Sequence, residues 1–121
     1  AECMALIANN GESNGFKLFS ENTLNHIFDE QIVGHDLVLD RLVRWGIGFG
    51  LPVKNDSWMG YFKNDQTCYW TGWGGSLSIA DKKNRVSLGY TPLRMEDDVF
   101  GEERTNNIVG AFVESLDELG V

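Results

Sequence analysis

The residues best suited to chemistry fall within positions 67–80. There Cys68-Tyr69-Trp70-Thr71-Gly72-Trp73-Gly74-Gly75-Ser76-Leu77 sets glycines among large aromatics. A strand of that composition leaves its backbone open on one side. N–H groups exposed at a sheet edge can hold an oxyanion, or can take up an extended substrate as an extra strand. Close packing accounts for a Gly/Trp-rich strand equally well. Trp45, Trp58, Trp70 and Trp73 therefore stand as core or rim aromatics until their surroundings are known.

Other chemistries lack their residues. There is no Gly-x-Ser-x-Gly elbow, no His-Glu-x-x-His and no phosphate-binding glycine loop ending in Lys-Ser or Lys-Thr. Gly46, Gly48 and Gly50 miss the dinucleotide spacing, because the third glycine would fall at Leu51 and no helix follows. Packing on a strand face is their expected use. His26 and His35 are not at metal-ligand spacing, and Cys3 and Cys68 form no Cys-x-x-Cys unit, so no metal and no cofactor is expected. Buried free thiols are the expectation for both cysteines. Asp36 and Asp40 lie four apart and could act as a carboxylate pair, but a solvated face accounts for them better.

A chain of 121 residues is one domain at most, and it can bury roughly 65% of its unfolded surface. The expectation is a single unit spanning residues 1–121. The net charge of -8 repels phosphate backbones, so nucleic acid is not an expected partner. No apolar run is long enough to cross a bilayer and no leader pattern opens the chain. Compartment is left open, with the cytoplasm slightly favoured. Fourteen glycines, well above the average of about 7%, point to turns and close backbone approaches.

The elements that must carry these residues read as follows. Residues 1–8 form an apolar helix stopped by Asn9-Asn10-Gly11. Asn14-Gly15 is a tight turn. Ser20 caps a short amphipathic helix running to about Glu30. Residues 31–44 read as loop-rich. Trp45, Ile47, Phe49 and Leu51 alternate with glycines, which predicts a strand ended by Pro52. Residues 53–66 are polar loop, and their Asn55-Asp56-Ser57 sequon carries no weight without signs of secretion. A glycine-interrupted strand over 67–80 turns at Asp81-Lys82-Lys83-Asn84 into a second, alternating strand through Val86, Leu88 and Tyr90. Residues 97–103 form an acidic loop. Ile108, Phe112, Leu116 and Leu119 recur at helical spacing up to Gly120. The class is α+β: an antiparallel sheet covered by helices, with the terminal helix packed on it.

Tyr69-Trp70-Thr71-Gly72-Trp73-Gly74-Gly75-Ser76-Leu77, followed by Ala80-Asp81, Leu88-Gly89-Tyr90 and Arg94-Met95, resembles the C-terminal strand pair of serine β-lactamase-like and penicillin-binding-protein-like hydrolases. Trp70-Thr71-Gly72 looks like the carboxylesterase form of that family's Lys-Thr-Gly signature. Trp45-Gly46-Ile47-Gly48-Phe49-Gly50-Leu51 looks like the strand preceding it. Asn10-Gly11-Glu12-Ser13-Asn14-Gly15 with Leu18-Phe19-Ser20 resembles a connection between two family helices. The match covers most of the chain in the family's order. It implies the C-terminal part of the β-lactamase/transpeptidase-like fold.

The resemblance implies acyl transfer through a serine ester, with a Ser-x-x-Lys nucleophile and a Tyr-x-Asn base. Trp70 would stand where the signature lysine stands, Thr71 would face the cleft, and Gly72 and Gly74 would let the strand pass close to substrate. The backbone N–H of Trp73 would be one oxyanion donor. Replacing lysine by tryptophan removes a cation and favours neutral esters over β-lactams or peptides. Leu93 departs from the asparagine of many relatives. The sequence contains no Ser-x-x-Lys and no Tyr-x-Asn. The expected partner is therefore an N-terminal catalytic segment of the family, cleaved or separate, or else a second copy of the chain. The rival expectation is a non-catalytic relative acting as a binding module.

Overall fold

The structure is a computed structural model that describes residues 1–54, 62, 64–97, 99 and 103–120. The sequon, Trp58, Tyr61 and part of the acidic loop lie outside the described residues.

Helix α1, Glu2–Ala8, buries Met4, Ile7 and Ala8. It ends as expected: Asn10 takes a φ of 58° and Gly11 a φ of 89°, and the Gly11 N–H donates back to Leu6 O at 2.7 Å. Asn14 and Gly15 both have positive φ, the backbone of a two-residue hairpin turn. They join the short strands β1, Glu12–Ser13, and β2, Phe16–Lys17. Helix α2, Glu21–Asn25, is capped by Ser20, whose hydroxyl accepts the Thr23 N–H at 3.1 Å. It is shorter than the expected span to Glu30, because the chain tightens into a 3-10 turn, His26–Phe28. Asp29 then accepts from His26 Nδ1 at 2.8 Å.

Residues 31–44 correct the loop-rich expectation. Strands β3, Ile32–Asp36, and β4, Arg41–Trp45, form an antiparallel hairpin with Ile32 opposite Trp45. Its turn is held by Asp36, whose Oδ1 accepts the N–H groups of Val38 at 2.8 Å and Leu39 at 2.9 Å. The expected strand over 45–51 is also corrected. The chain reverses after Trp45: Gly46 N–H donates to Phe49 O, Gly48 has a φ of 77°, and Gly50 returns opposite Trp45. Gly46 and Gly50 are close-approach sites. A Cβ on Gly46 would lie 2.1 Å from Ile27 O, and one on Gly50 would lie 2.6 Å from the Tyr69 ring.

The expected single strand over 67–80 is itself a hairpin. Strand β5, Thr67–Gly72, and strand β6, Ser76–Asp81, pair antiparallel around Trp73-Gly74-Gly75. Gly74 and Gly75 take φ of 96° and 91°, a backbone that residues with a side chain rarely adopt. Strand β7, Val86–Tyr90, pairs with β6. Gly50 is bonded to Tyr69 in both directions, at 3.0 and 2.9 Å, and so joins the β3–β4 hairpin to the β5–β6–β7 ladder.

Two apolar layers close on opposite faces of this ladder. Cys68 and Ala80, which face each other in register, pack with Met4, Ile7 and Ala8 of α1 and with Leu24 and Leu51. Their neighbours Tyr69, Leu77 and Ile79 point the other way and pack with Phe62 and with Val109 of the last helix, α3, Glu103–Leu119. Helix α3 is expected, but its buried stripe runs through Thr105, Val109 and Leu116, and Leu119 is exposed. Each fully covered aliphatic side chain contributes about 1.5–3 kcal/mol. At the base of the ladder Asp81 is buried and accepts from Asn64 Nδ2, Asn84 N and Asn84 Nδ2 at 2.9–3.0 Å. Lys82 beside it reaches Asn25 Oδ1 at 2.7 Å and Glu21 at 3.3 Å, which ties α2 to this turn.

Candidate functional site: the open end of a buried ladder

The residues singled out in the sequence sit where β5 leaves the core. Cys68 and Tyr69 are buried, Trp70 is 52% exposed, and Trp73 in the turn is 65% exposed. Thr71 and Gly72 are half-buried and Gly74 is buried. The change comes from the covering helices. Helix α1 lies over β6 and β7, and its apolar side chains reach Cys68 and Ala80. At this end α3 packs Val109 in one cluster with Leu77, and its Thr105 hydroxyl donates to Gly75 O at 3.2 Å.

The turn is held in shape from beneath. Gly75 N–H donates to Gly72 O at 3.1 Å and Glu96 N–H to Gly74 O at 3.4 Å. Met95 packs so closely on Gly74 that a Cβ there would lie 2.8–3.0 Å from three of its atoms. Glu96 is flanked by Arg94 at 3.5 Å and Arg104 at 3.9 Å, and Arg104 also donates to Arg94 O at 3.0 Å. Leu93 stands fully exposed.

The outer edge of β5 is taken by Gly50 only at Tyr69, and among the described residues no strand pairs there beyond it. Antiparallel alternation then directs the N–H and C=O of Thr71 to the same edge. Beside the strand runs a shallow groove of about 400 Å³, lined by Trp70, Thr71, Gly72, Ser76, Leu77, Ser78, Tyr90 and Thr91. None of these side chains is charged. The Trp70 ring lies 5.7 Å from that of Trp45, tilted by 45°. Trp45, Tyr90 and Thr91 were not legible as site residues. They arrive through strand register, and the one sequence signal for it is the alternation that places Tyr90 opposite Leu77.

The remaining candidates lie elsewhere. Asp36 and Asp40 shape the β3–β4 turn: Asp36 is held below the usual carboxylate range chiefly by the Leu39 N–H, then by that of Val38, and Asp40 meets His35 at 3.4 Å. Both cysteines are free, but Cys3 is exposed, against the expectation of two buried thiols. Burial pushes the Cys68 thiol up to about 12, so it is not a thiolate nucleophile at neutral pH. Among the described residues no group of three His, Cys, Asp or Glu is placed to hold a metal ion, and no helix is long and apolar enough to cross a membrane.

No protein-family model and no curated protein matches the chain. Solved structures do. A penicillin-binding protein homolog from Caulobacter crescentus is 28% identical with a TM-score of 0.82, over 93% of this chain and 30% of that one. A family VIII carboxylesterase is 30% identical with a TM-score of 0.77, over 89% and 28%. EstA from Arthrobacter nitroguajacolicus Rue61a, at 24% identity, shares the fold with a TM-score of 0.75, over 100% and 33%. The chain thus spans about a third of the length of the structures it matches, or slightly less. These likenesses show that the chain carries the C-terminal portion of a fold shared by the penicillin-binding protein homolog and the carboxylesterases.

Proposed function

We propose that the chain supplies the oxyanion strand of a serine hydrolase or acyltransferase that turns over neutral esters through an acyl-enzyme, with β-lactams and peptides less favoured. The attacking serine belongs to polypeptide outside these 121 residues: an N-terminal family segment, cleaved or separate. In this reading the serine oxygen adds to the ester carbonyl as its proton passes to the Tyr-x-Asn base of the same segment, and the carbonyl oxygen becomes an oxyanion. The Trp73 N–H donates to that oxygen, and the alcohol leaves with the proton returned by that base as the carbonyl re-forms. Water or a second hydroxyl then takes the acyl group. A donor of this kind contributes about 3–4 kcal/mol to the transition state. Trp70, Thr71, Gly72 and Gly74 border the substrate.

One observation carries the reading: the Trp70–Trp73 segment stands open to solvent while its turn is braced from below by Met95, Glu96 and Thr105. A backbone held in one geometry before substrate arrives is what electrostatic stabilisation of an oxyanion requires. The exposed ring of Trp70 also suits a surface that a partner segment covers. A fluorophosphonate probe tests the proposal. The chain alone should show no labelled serine. Mixing it with an N-terminal family segment bearing Ser-x-x-Lys and Tyr-x-Asn should give labelling of that segment at a rate the segment alone does not reach. Equal labelling with and without the chain would overturn it.

A further inference from the structure

Trp70 does more than leave out a positive charge. It presents about half of its surface to solvent, in an orientation fixed on one side by the tilted contact with Trp45 and along its strand by pairing with Ser78. An exposed indole held this way has lost little freedom still to be lost on binding, and such rings favour stacked or edge-on aromatic partners. The groove it borders continues over small polar residues, Ser76 and Ser78, to the end of β7 at Tyr90 and Thr91, the Tyr90 ring itself turning to the other face with Leu77. It thus has one aromatic ring, that of Trp70, with serine hydroxyls beside it and no charged side chain among its lining. The chain as a whole carries a net charge of -8, which adds a long-range bias against anions.

We infer that this groove is a subsite for a neutral, planar aromatic group, with Trp70 as the stacking surface and Trp45 as the residue that positions it. The assignment rests on the ester-hydrolase reading for its meaning, since the group would be the aryl part of an aryl or aroyl ester. Its physical content is a binding preference of this chain that needs no serine. Neutral aromatic esters enter; the same ring bearing a carboxylate is disfavoured, because the groove offers that carboxylate hydroxyls but no cation.

The experiment uses the full chain labelled with 15N and two probes sharing one ring system, methyl 2-naphthoate and 2-naphthoate. The indole N–H signals of Trp45 and Trp70 are followed by NMR as each probe is added. The neutral ester should shift the Trp70 signal saturably and bind roughly tenfold or more tighter than the carboxylate, a difference of about 1.4 kcal/mol. Trp70→Ala should abolish that binding, and Trp70→Lys should reverse the charge preference. Trp45→Phe should keep the fold, as read from the remaining amide spectrum, and weaken the neutral probe several-fold without altering the charge preference. Equal affinity for the two probes, or wild-type binding by Trp70→Ala, would overturn the subsite. Absence of serine labelling in the mixing experiment with naphthoate selectivity intact would remove the hydrolase reading alone. Labelling without ring selectivity would remove the subsite alone.

Discussion

The β5–β6 hairpin is two structures in one ladder. Its lower half, from Thr67 to Tyr69 and from Ile79 to Asp81, is at most 4% exposed at every residue. Its upper half, from Trp70 through the turn, carries two of the more exposed large side chains of the molecule. Nothing in the strand pairing changes between them, since the register is unbroken from Thr67–Asp81 to Gly72–Ser76. What changes is the cover on the face that Trp70 shares with Cys68, because α1 packs at Cys68 and Ala80, while on the other face Leu77 stays buried with Val109 of α3. Stability and candidate chemistry are thus separated along one strand by a single residue step, from Tyr69 to Trp70. Substitutions on the two sides of that step should behave differently. Ile79→Ala removes a side chain with no exposed surface and should lower unfolding free energy by about 2–5 kcal/mol. Trp70→Ala gives up chiefly the ring contact with Trp45 and should cost about 0.5–1.5 kcal/mol. Urea denaturation of both variants compares them. Equal losses would erase the distinction between the halves.

Cys68 sharpens the same contrast through pH. Desolvation raises its thiol from 9.0 to about 12, partly offset by the Ala80 backbone hydrogen bond. A thiol whose folded pKa is raised is neutral in both states below about 9, so its stabilising effect is then fully present. Between about 9 and 12 the unfolded chain ionises while the folded chain does not, and stability falls, by roughly 1.4 kcal/mol for each pH unit in that window. Cys68→Ala should flatten this part of the stability profile. In the native chain Ellman's reagent should titrate Cys3 alone, and Cys68 should react only after denaturation. Rapid reaction of both thiols in the native state would mean that the lower half opens readily.

Gly50 is where the second hairpin is fastened to this ladder. An alanine there would place its Cβ 2.6–2.9 Å from three Tyr69 ring atoms, and the ring is buried against α3 and cannot swing clear. Gly50→Ala should cost about 1–3 kcal/mol as an overpacked contact. Hydrogen exchange should show the β3–β4 hairpin losing protection before β5–β6. Uniform loss across both would mean that the hairpin is fastened elsewhere, for instance through Arg44, which bonds Glu30 at 2.7 Å and Asp65 at 3.2 Å.

These regions also differ in how far their sequence reveals them. Local rules hold where one residue or dipeptide decides the backbone: Asn14-Gly15 makes the turn it predicts, Ser20 caps α2, and the alternation of Val86, Leu88 and Tyr90 marks β7. The β3–β4 hairpin is hidden because Ile32, Val33 and Leu42 are all exposed, so neither strand shows the one-sided alternation by which strands are recognised. Residues 45–51 mislead for the opposite reason. Their alternation is real, but the glycines sit where the chain must reverse and pass close to Ile27 and Tyr69. In 67–80 the glycines mark a turn as well as close packing, and composition alone does not separate the two. The aromatic, glycine-rich stretch over Tyr69–Gly75 was legible as a candidate site. Its bracing by Trp45, and its groove wall at Tyr90 and Thr91, depend on register between residues far apart in sequence.

The smallest expected effect falls at Trp73, and it is the most informative about the upper half. Its proposed contribution is a backbone N–H, and its side chain is 65% exposed. Trp73→Ala leaves that N–H in place and should change stability by no more than about 0.5 kcal/mol. In the mixed system it should leave the fluorophosphonate labelling rate within about twofold, a free-energy change of roughly 0.4 kcal/mol. The adjacent Gly74→Ala is the contrasting control. It forces a side chain onto a φ of 96° and into Met95, so it should distort the turn and slow labelling by much more than Trp73→Ala. If instead Trp73→Ala slows labelling as strongly as Gly74→Ala, then it is the indole ring that matters at position 73, and the division between a stacking side chain at Trp70 and a donating backbone at Trp73 does not hold.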